Sequence, residues 1–286
     1  MIATDFEYQR ATSLDDALAK LSATKGDGKL IAGGHSLVPL MKLRLSEPKI
    51  LIDIARIPGL AGIREKDGQI EIGAGTVHHD VASSTLLRKV CPAIADCASE
   101  IGDPQVRNRG TLGGSLAHAD PAADYPAIIV ALDAEIHLKG LSGSRVVKAA
   151  DFFQAMFTVD LRADEIIECV RFTPVKAAAY AKLHQRASHF AIVGVAAALE
   201  VKGGVIQSAR IGLTGASSHA TRLTGVENAL AGKPASAASI DTAAKNAGAT
   251  LANVNSDIHA SEEYRRAMVQ VFTERALKGA LARVGS

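Results

Sequence analysis

The chain has 286 residues, 48% hydrophobic and 22% charged, with a formal net charge of +2. Acids and bases are mixed along it, without the concentrated basic stripe of a nucleic-acid-binding protein. No apolar run approaches the ~20 residues that cross a bilayer, and Met1-Ile2-Ala3-Thr4-Asp5 lacks the basic-then-apolar profile of a secretory signal, so the expected location is cytoplasmic.

Taken in order, Ser13–Leu21 places Leu14, Ala17, Leu18 and Leu21 on one helical face behind a capping Ser13. Short strands are expected at Lys29–Ala32, Lys49–Ile54 and Gln69–Ile72, the first ending at Gly33-Gly34 and the last at Gly73-Ala74-Gly75. A helical stretch from about Val77 to Ile101 is broken at Pro92. Asp103–Asp124 reads as a long polar loop rich in Gly and Pro, and a loop of that length inside a domain points to function. Strands follow at Ala134–Leu138, Ser144–Val147 and Ile166–Phe172, and Pro174 with Lys176 marks a boundary. Beyond it, Val195, Ala197, Leu199 and Val201 alternate, Gly203-Gly204 turns, and Ala209, Ile211 and Leu213 alternate back, a hairpin. Helices are expected at Thr221–Leu230, Ser239–Leu251 and Ser261–Val284, the last capped by Ser261 beside Glu262 and Glu263. The fold class is α+β, with a larger part at 1–175, itself divided at about residue 55, and a smaller part at 176–286.

Several familiar signatures fail on inspection. Gly73-Ala-Gly75-Thr-Val-His78 has a histidine where a dinucleotide fingerprint needs its third glycine. Gly34-His35-Ser36-Leu37-Val38 lacks the final glycine of a hydrolase elbow. His78-His79-Asp80 and His118-Ala-Asp120 read as solvated surface, since adjacent helical side chains diverge. Cys91, Cys97 and Cys169 form no metal or iron–sulfur spacing. Two double-glycine segments remain, Leu30-Ile-Ala-Gly-Gly-His-Ser-Leu37 and Gly110-Thr-Leu-Gly-Gly-Ser115. Glycines there let backbone approach a ligand and turn successive N–H groups toward an anion. Ser36, Thr111 and Ser115 add hydroxyl donors. Two such segments suit a diphosphate gripped from both sides, and the missing P-loop lysine argues against phosphoryl transfer.

Ala32-Gly-Gly-His-Ser-Leu-Val-Pro-Leu-Met-Lys-Leu-Arg-Leu45 and Arg109-Gly-Thr-Leu-Gly-Gly-Ser-Leu-Ala-His-Ala-Asp-Pro-Ala-Ala-Asp124 closely resemble the FAD-binding medium subunit of molybdenum hydroxylases, the xanthine dehydrogenase family. The likeness is strongest to the medium subunit of aerobic carbon monoxide dehydrogenases and N-heterocycle oxidoreductases, and it extends to Tyr180-Ala-Lys-Leu. It implies a vanillyl-alcohol-oxidase-like (PCMH-type) FAD-binding fold of two α/β subdomains plus a C-terminal sheet-and-helix domain. It implies that Ala32, Gly33, Gly34, His35 and Ser36, flanked by Ile31 and Leu37, hold the flavin diphosphate with Thr111, Gly113, Gly114 and Ser115. Asp124 would bond the sugar part, Ile101 and Ile167 would give apolar or backbone contacts, Lys182 would sit near the flavin, and Phe190 beside the isoalloxazine. Two departures stand out: many relatives have Asn at Ser115, and some have Tyr or Trp at Phe190.

The resemblance implies one subunit of three. A large partner would hold the molybdenum cofactor, a small one two [2Fe–2S] clusters, and the assembly would be a dimer of heterotrimers. Electrons would reach FAD on this chain and leave to an external acceptor, the chemistry belonging to the cofactor. Two alternatives stand beside this. One is a self-sufficient flavin oxidase or reductase, with His35, His184 or His189 as base. The other is a non-enzymatic nucleotide-binding module.

Overall fold

Among the described residues, five helices begin at a serine or threonine hydroxyl that caps them. In the computed structural model, which describes residues 2–249 and 251–285, Ser13 Oγ accepts the amide of Asp16 and opens Leu14–Ala23. Ser261 does the same for Glu262–Leu281 by accepting from Tyr264. The stretch expected as one helix broken at Pro92 is three, His78–Ser83, Thr85–Val90 and Pro92–Ser99. Pro92 stands at the first helical position, where a missing N–H costs nothing. Ser84 makes the other break by accepting the amide of Leu87.

Three parallel strands form the first sheet, in the order Glu7–Arg10, Ile50–Asp53, Gly28–Ile31. Glu7–Arg10 was not expected: it is an edge strand with mostly exposed side chains, so no alternation betrays it. The second sheet is antiparallel, in the order Ile63–Lys66, Gln69–Gly73, Glu165–Phe172, Glu135–Gly140, Gly143–Lys148. A small ribbon pairs Phe153–Ala155 with Thr158–Val159. The long polar loop is not structureless. It contains Pro104–Arg107, capped by Asp103, and Leu112–His118, capped by Thr111.

The C-terminal sheet runs Ala178–His184, Ala191–Lys202, Val205–Thr214, Thr221–Arg222, all antiparallel. Its long strand is buried on both faces. Ala196 and Ala198 join the larger core, whereas Val193, Val195, Ala197 and Leu199 join a second core shared with Glu262–Leu281. The alternation seen in the sequence therefore marks one of two buried faces. Thr221–Arg222 is a strand, not the start of a helix, because it pairs with Gly212 and Leu213; the helix begins at Thr224 and ends at Leu230. The helix expected over Ser239–Leu251 is Ala237–Ala244, capped by Ser236, and Thr250 lies outside the described residues. Among the described residues, no helix is long and apolar enough to cross a membrane.

The helix Tyr125–Ala131 joins the two cores, and all seven of its residues are buried. It packs on Ala191–Lys202 and Val205–Thr214 on one side and on Pro92–Ser99 on the other. The approach is backbone to backbone, since a Cβ on Gly212 would stand 2.0 Å from the carbonyl oxygen of Ala127. Gly212→Ala is expected to destabilise the chain by about 1–3 kcal/mol through overpacking, read as a drop of several degrees in Tm by calorimetry; an unchanged Tm would show that this junction yields.

Candidate functional site

The first glycine segment leaves the carboxyl end of the strand Gly28–Ile31 in the parallel sheet, where open α/β sheets bind ligands. Gly34 has φ +74°, a left-handed conformation that favours glycine. Gly33 is required by a neighbour: a Cβ there would lie 2.1 Å from the carbonyl oxygen of Arg109 and 2.8 Å from Gly110 Cα. The first segment thus rests directly on the backbone leading into the second. Among the described residues, no protein acceptor takes the amides of Gly33, Gly34, His35 or Ser36. Four successive unused donors beside a cleft are what an anion needs.

The second segment is built differently from the expectation of a matching nest. Its amides are already engaged: Leu112 N–H donates to Thr76 O, Gly113 N–H to Ala74 O, Gly114 N–H to Thr111 Oγ and Ser115 N–H to Thr111 O. Gly113 is seated against the Gly73-Ala74-Gly75 turn, where its Cβ would stand 2.5 Å from that of Ala74. A bridge between Val77 and Thr111 holds the same wall. What this segment offers a ligand is the hydroxyls of Thr111 and Ser115, each with a donor to give, and the bare face of Gly114.

Both segments line a cleft of about 850 Å³, a size that suits a large cofactor. Ile31 through Leu37, Thr111, Gly113, Gly114 and Ser115 line it, joined by Ile101, Asp124, Ile167 and Phe190. Lys182 does not line it. Its ammonium is buried behind Asp124, bonded to that carboxylate and to the carbonyl oxygen of Glu100. Burial pushes the Asp124 carboxyl up to about 6, against the opposing pull of Lys182 and Tyr180. Phe190 is 46% exposed at the mouth of the cleft. It is presented by the turn Gln185–Phe190, in which Gln185 Oε1 accepts from Ala187 N, Ser188 N and Ser188 Oγ. Of the three histidines named as bases, His35 and His189 line the cleft, while His184 pairs with Glu100 at 2.8 Å.

His78 corrects the sequence reading. Its neighbours His79 and Asp80 are exposed, but His78 is 5% exposed and lines the cleft. Its Nε2 lies 2.5 Å from where a Gly110 Cβ would be, its ring meets Tyr125 edge-on at 5.3 Å, and its buried Nδ1 has no hydrogen-bond partner among the described residues. Burial, with the nearby charges of His35 and Arg107, pushes the imidazole down to about 4. No sequence signal marks it, because the helix His78–Ser83 is short and its buried face is chosen by the glycine wall packed on it. His118 is half-buried beside Phe157, their rings 5.1 Å apart.

Residues 4–175 match the family described as FAD binding domain in molybdopterin dehydrogenase, and residues 178–280 match CO dehydrogenase flavoprotein C-terminal domain. The chain is 38% identical to the carbon monoxide dehydrogenase medium chain of Hydrogenophaga pseudoflava, over 99% of each sequence. It is 35% identical to the glyceraldehyde dehydrogenase medium chain of Sulfolobus acidocaldarius, over 97% of this chain and 99% of that one. The solved carbon monoxide dehydrogenase of Hydrogenophaga pseudoflava superposes with a TM-score of 0.94 at 40% identity, covering 99% of each chain. Quinoline 2-oxidoreductase of Pseudomonas putida superposes with a TM-score of 0.92 at 31% identity, again covering 99% of each. The fold and the cleft thus define an oxidoreductase subunit with an FAD-binding domain. The chain belongs to the FAD-binding medium subunits of the molybdenum hydroxylases.

The buried His78 carries a pH signature. Because its folded pKa, about 4, lies below the ordinary imidazole value of about 6.5, the unfolded chain binds the extra proton, so stability is present above about pH 6.5 and is lost as pH falls toward 4. Between pH 7.5 and 5 the parent is expected to lose about 2 kcal/mol more than His78→Gln in urea unfolding; equal losses in the two proteins would refute the assignment.

Proposed function

We propose that this chain holds FAD with its diphosphate on the free amides of Gly33–Ser36 and against Thr111, Gly114 and Ser115, and relays electrons from [2Fe–2S] clusters on a partner to an external acceptor. The observation that carries the reading is the row of unused first-loop donors facing a cleft large enough for the cofactor. Ile31, Ala32 and Leu37 shape the same wall, Ile101 and Ile167 give apolar contact, Asp124 takes a sugar hydroxyl, and Phe190 covers the isoalloxazine. When bound, FAD supplies the store that takes up electrons and releases them to the acceptor. The protein binds and orients it and shields one side from water.

The chain divides, in this reading, into an FAD-binding domain at 1–175, with subdomains at about 1–55 and 56–175, and a C-terminal domain at 176–286. The first and second sheets support the inner division, and the two cores support the outer one. The partners are a small iron–sulfur subunit and a large molybdenum subunit, assembled as a dimer of heterotrimers in the cytoplasm. Support comes from the relatives' own names as medium chains of carbon monoxide and glyceraldehyde dehydrogenases.

The test is the visible spectrum of the purified chain with added FAD. Flavin bands are expected in the parent. In Gly114→Val, whose Cβ would stand 2.8 Å from the Thr111 hydroxyl, a side-chain atom, and meet no backbone of another segment, FAD affinity should fall at least about tenfold. Gly33→Val is a poor choice, since it would collide with the backbone of Arg109 and unfold the site. A folded parent that stays colourless in excess FAD would overturn the reading. For the relay, copurification with an iron–sulfur chain and no turnover by this chain alone are expected; turnover alone would favour the self-sufficient oxidase.

A further inference from the structure

The strand Ala178–His184 reaches the cleft without lining it. Two of its side chains, Tyr180 and Lys182, end on one carboxylate of the FAD-binding part. Lys182 Nζ lies 2.8 Å from Asp124 Oδ1 and 3.0 Å from Oδ2, and it donates to the carbonyl oxygen of Glu100 at 2.8 Å. Tyr180 donates its hydroxyl to Asp124 Oδ1 at 2.5 Å. The Lys182 side chain is 1% exposed and that of Asp124 is 4% exposed. The ammonium donates to Asp124 Oδ2 and to Glu100 O and ion-pairs with Asp124 Oδ1, and its burial away from the cleft lining keeps it from a molecule bound there.

The opposite strand is adapted to this arrangement. Gly194 pairs directly with Lys182 in the middle of the long strand Ala191–Lys202. A Cβ at Gly194 would stand 2.4 Å from the Tyr180 hydroxyl and 2.8 Å from Thr214 Cγ2. Glycine weakens a strand interior, and here it leaves the space through which the tyrosine reaches Asp124. The Thr214 hydroxyl in turn shares its one proton between Pro121 O at 2.8 Å and Ala123 O at 2.7 Å, tying down the segment that leads to Asp124. Among the described residues, the side-chain bonds to the carboxylate come from Tyr180 and Lys182 on the one strand Ala178–His184, and Asp124 also lines the cleft. An ionised carboxylate has about four lone-pair sites, so at least one remains for a donor in the cleft.

We infer that Lys182 and Tyr180 are positioning residues: they hold Asp124 ionised and aimed at the polyol hydroxyls of the bound cofactor, and Lys182 itself does not touch the flavin. This rests on the FAD reading above and replaces the direct lysine contact that the resemblance implies. The C-terminal sheet then sets cofactor affinity through a single carboxylate. Removing the lysine leaves Asp124 as a buried charge without its partner, and Asp124 protonates and loses its acceptor role. Removing both partners restores neutrality, so the double variant folds even where the single one is weakened.

The experiment measures binding of FAD, and of ADP, which carries the diphosphate but no polyol chain, to the full chain by calorimetry, with thermal melts alongside. The variants are Lys182→Met, Tyr180→Phe, Asp124→Asn and the double Lys182→Met/Asp124→Asn. FAD affinity is expected to fall at least about tenfold in Lys182→Met and less in Tyr180→Phe, with ADP affinity unchanged in both. The double variant should bind FAD as Asp124→Asn does, because the lysine acts only through the carboxylate. The inference is overturned by a folded Lys182→Met that binds FAD like the parent, by equal loss of ADP and FAD, or by a double variant weaker than Asp124→Asn. A parent that binds ADP but no FAD, or neither, would instead bring down the flavin reading and this inference with it.

Discussion

The cleft depends on one close contact between two stretches of main chain far apart in sequence. Gly33 lies on the carbonyl of Arg109 and on Gly110, nearer than any side chain permits. That contact sets the separation of the two walls, and it works only because the wall behind it is rigid. Gly113 sits on Ala74, Gly73 on the carbonyl of Leu60, and Val77 bridges Thr111. Backbone contacts of this kind are stiff, since no rotamer can relax them. A loop held so firmly keeps its free amides oriented before any ligand arrives, which lowers the ordering cost of binding.

The two glycine segments look alike as sequences and act differently as structures. The first presents unused N–H groups; the second has spent its own on Thr76, Ala74 and Thr111. The difference follows from their settings. The first comes off the end of a parallel strand into an open turn, whereas the second starts a helix whose first amides must be satisfied locally or by neighbours. One wall therefore presents a row of unused amides and the other a hydroxyl-edged surface.

A second dependence runs through the helix Tyr125–Ala131, buried between the cores. Asp124 stands at its start, and the residues before it are stitched to the C-terminal sheet by Thr214 and by the amides of Ala191 and Gly215. The sheet strand that faces this helix is rich in alanine, with Ala196, Ala197 and Ala198 all buried. Small side chains let it carry packed layers on both faces. The C-terminal unit is thereby held close enough to place Tyr180 and Lys182 on Asp124.

Much of the fold was legible because caps, prolines and apolar alternation act locally. Ser13, Pro92 and Ser261 marked helix ends, and the hairpin around Gly203-Gly204 stood where its alternation placed it. The edge strand Glu7–Arg10 and the strand Thr221–Arg222 were not legible, since both are defined by a partner strand rather than by their own residues. The glycine segments and their flanks identified the family from sequence alone, because close backbone approach and left-handed turns require glycine at particular places in an unbroken run. Three things came only from the tertiary structure: the buried place of His78, the withdrawal of Lys182 behind Asp124, and the unequal use of the two loops. Each depends on which groups from distant segments meet in space, and neither spacing nor periodicity along one chain records such meetings.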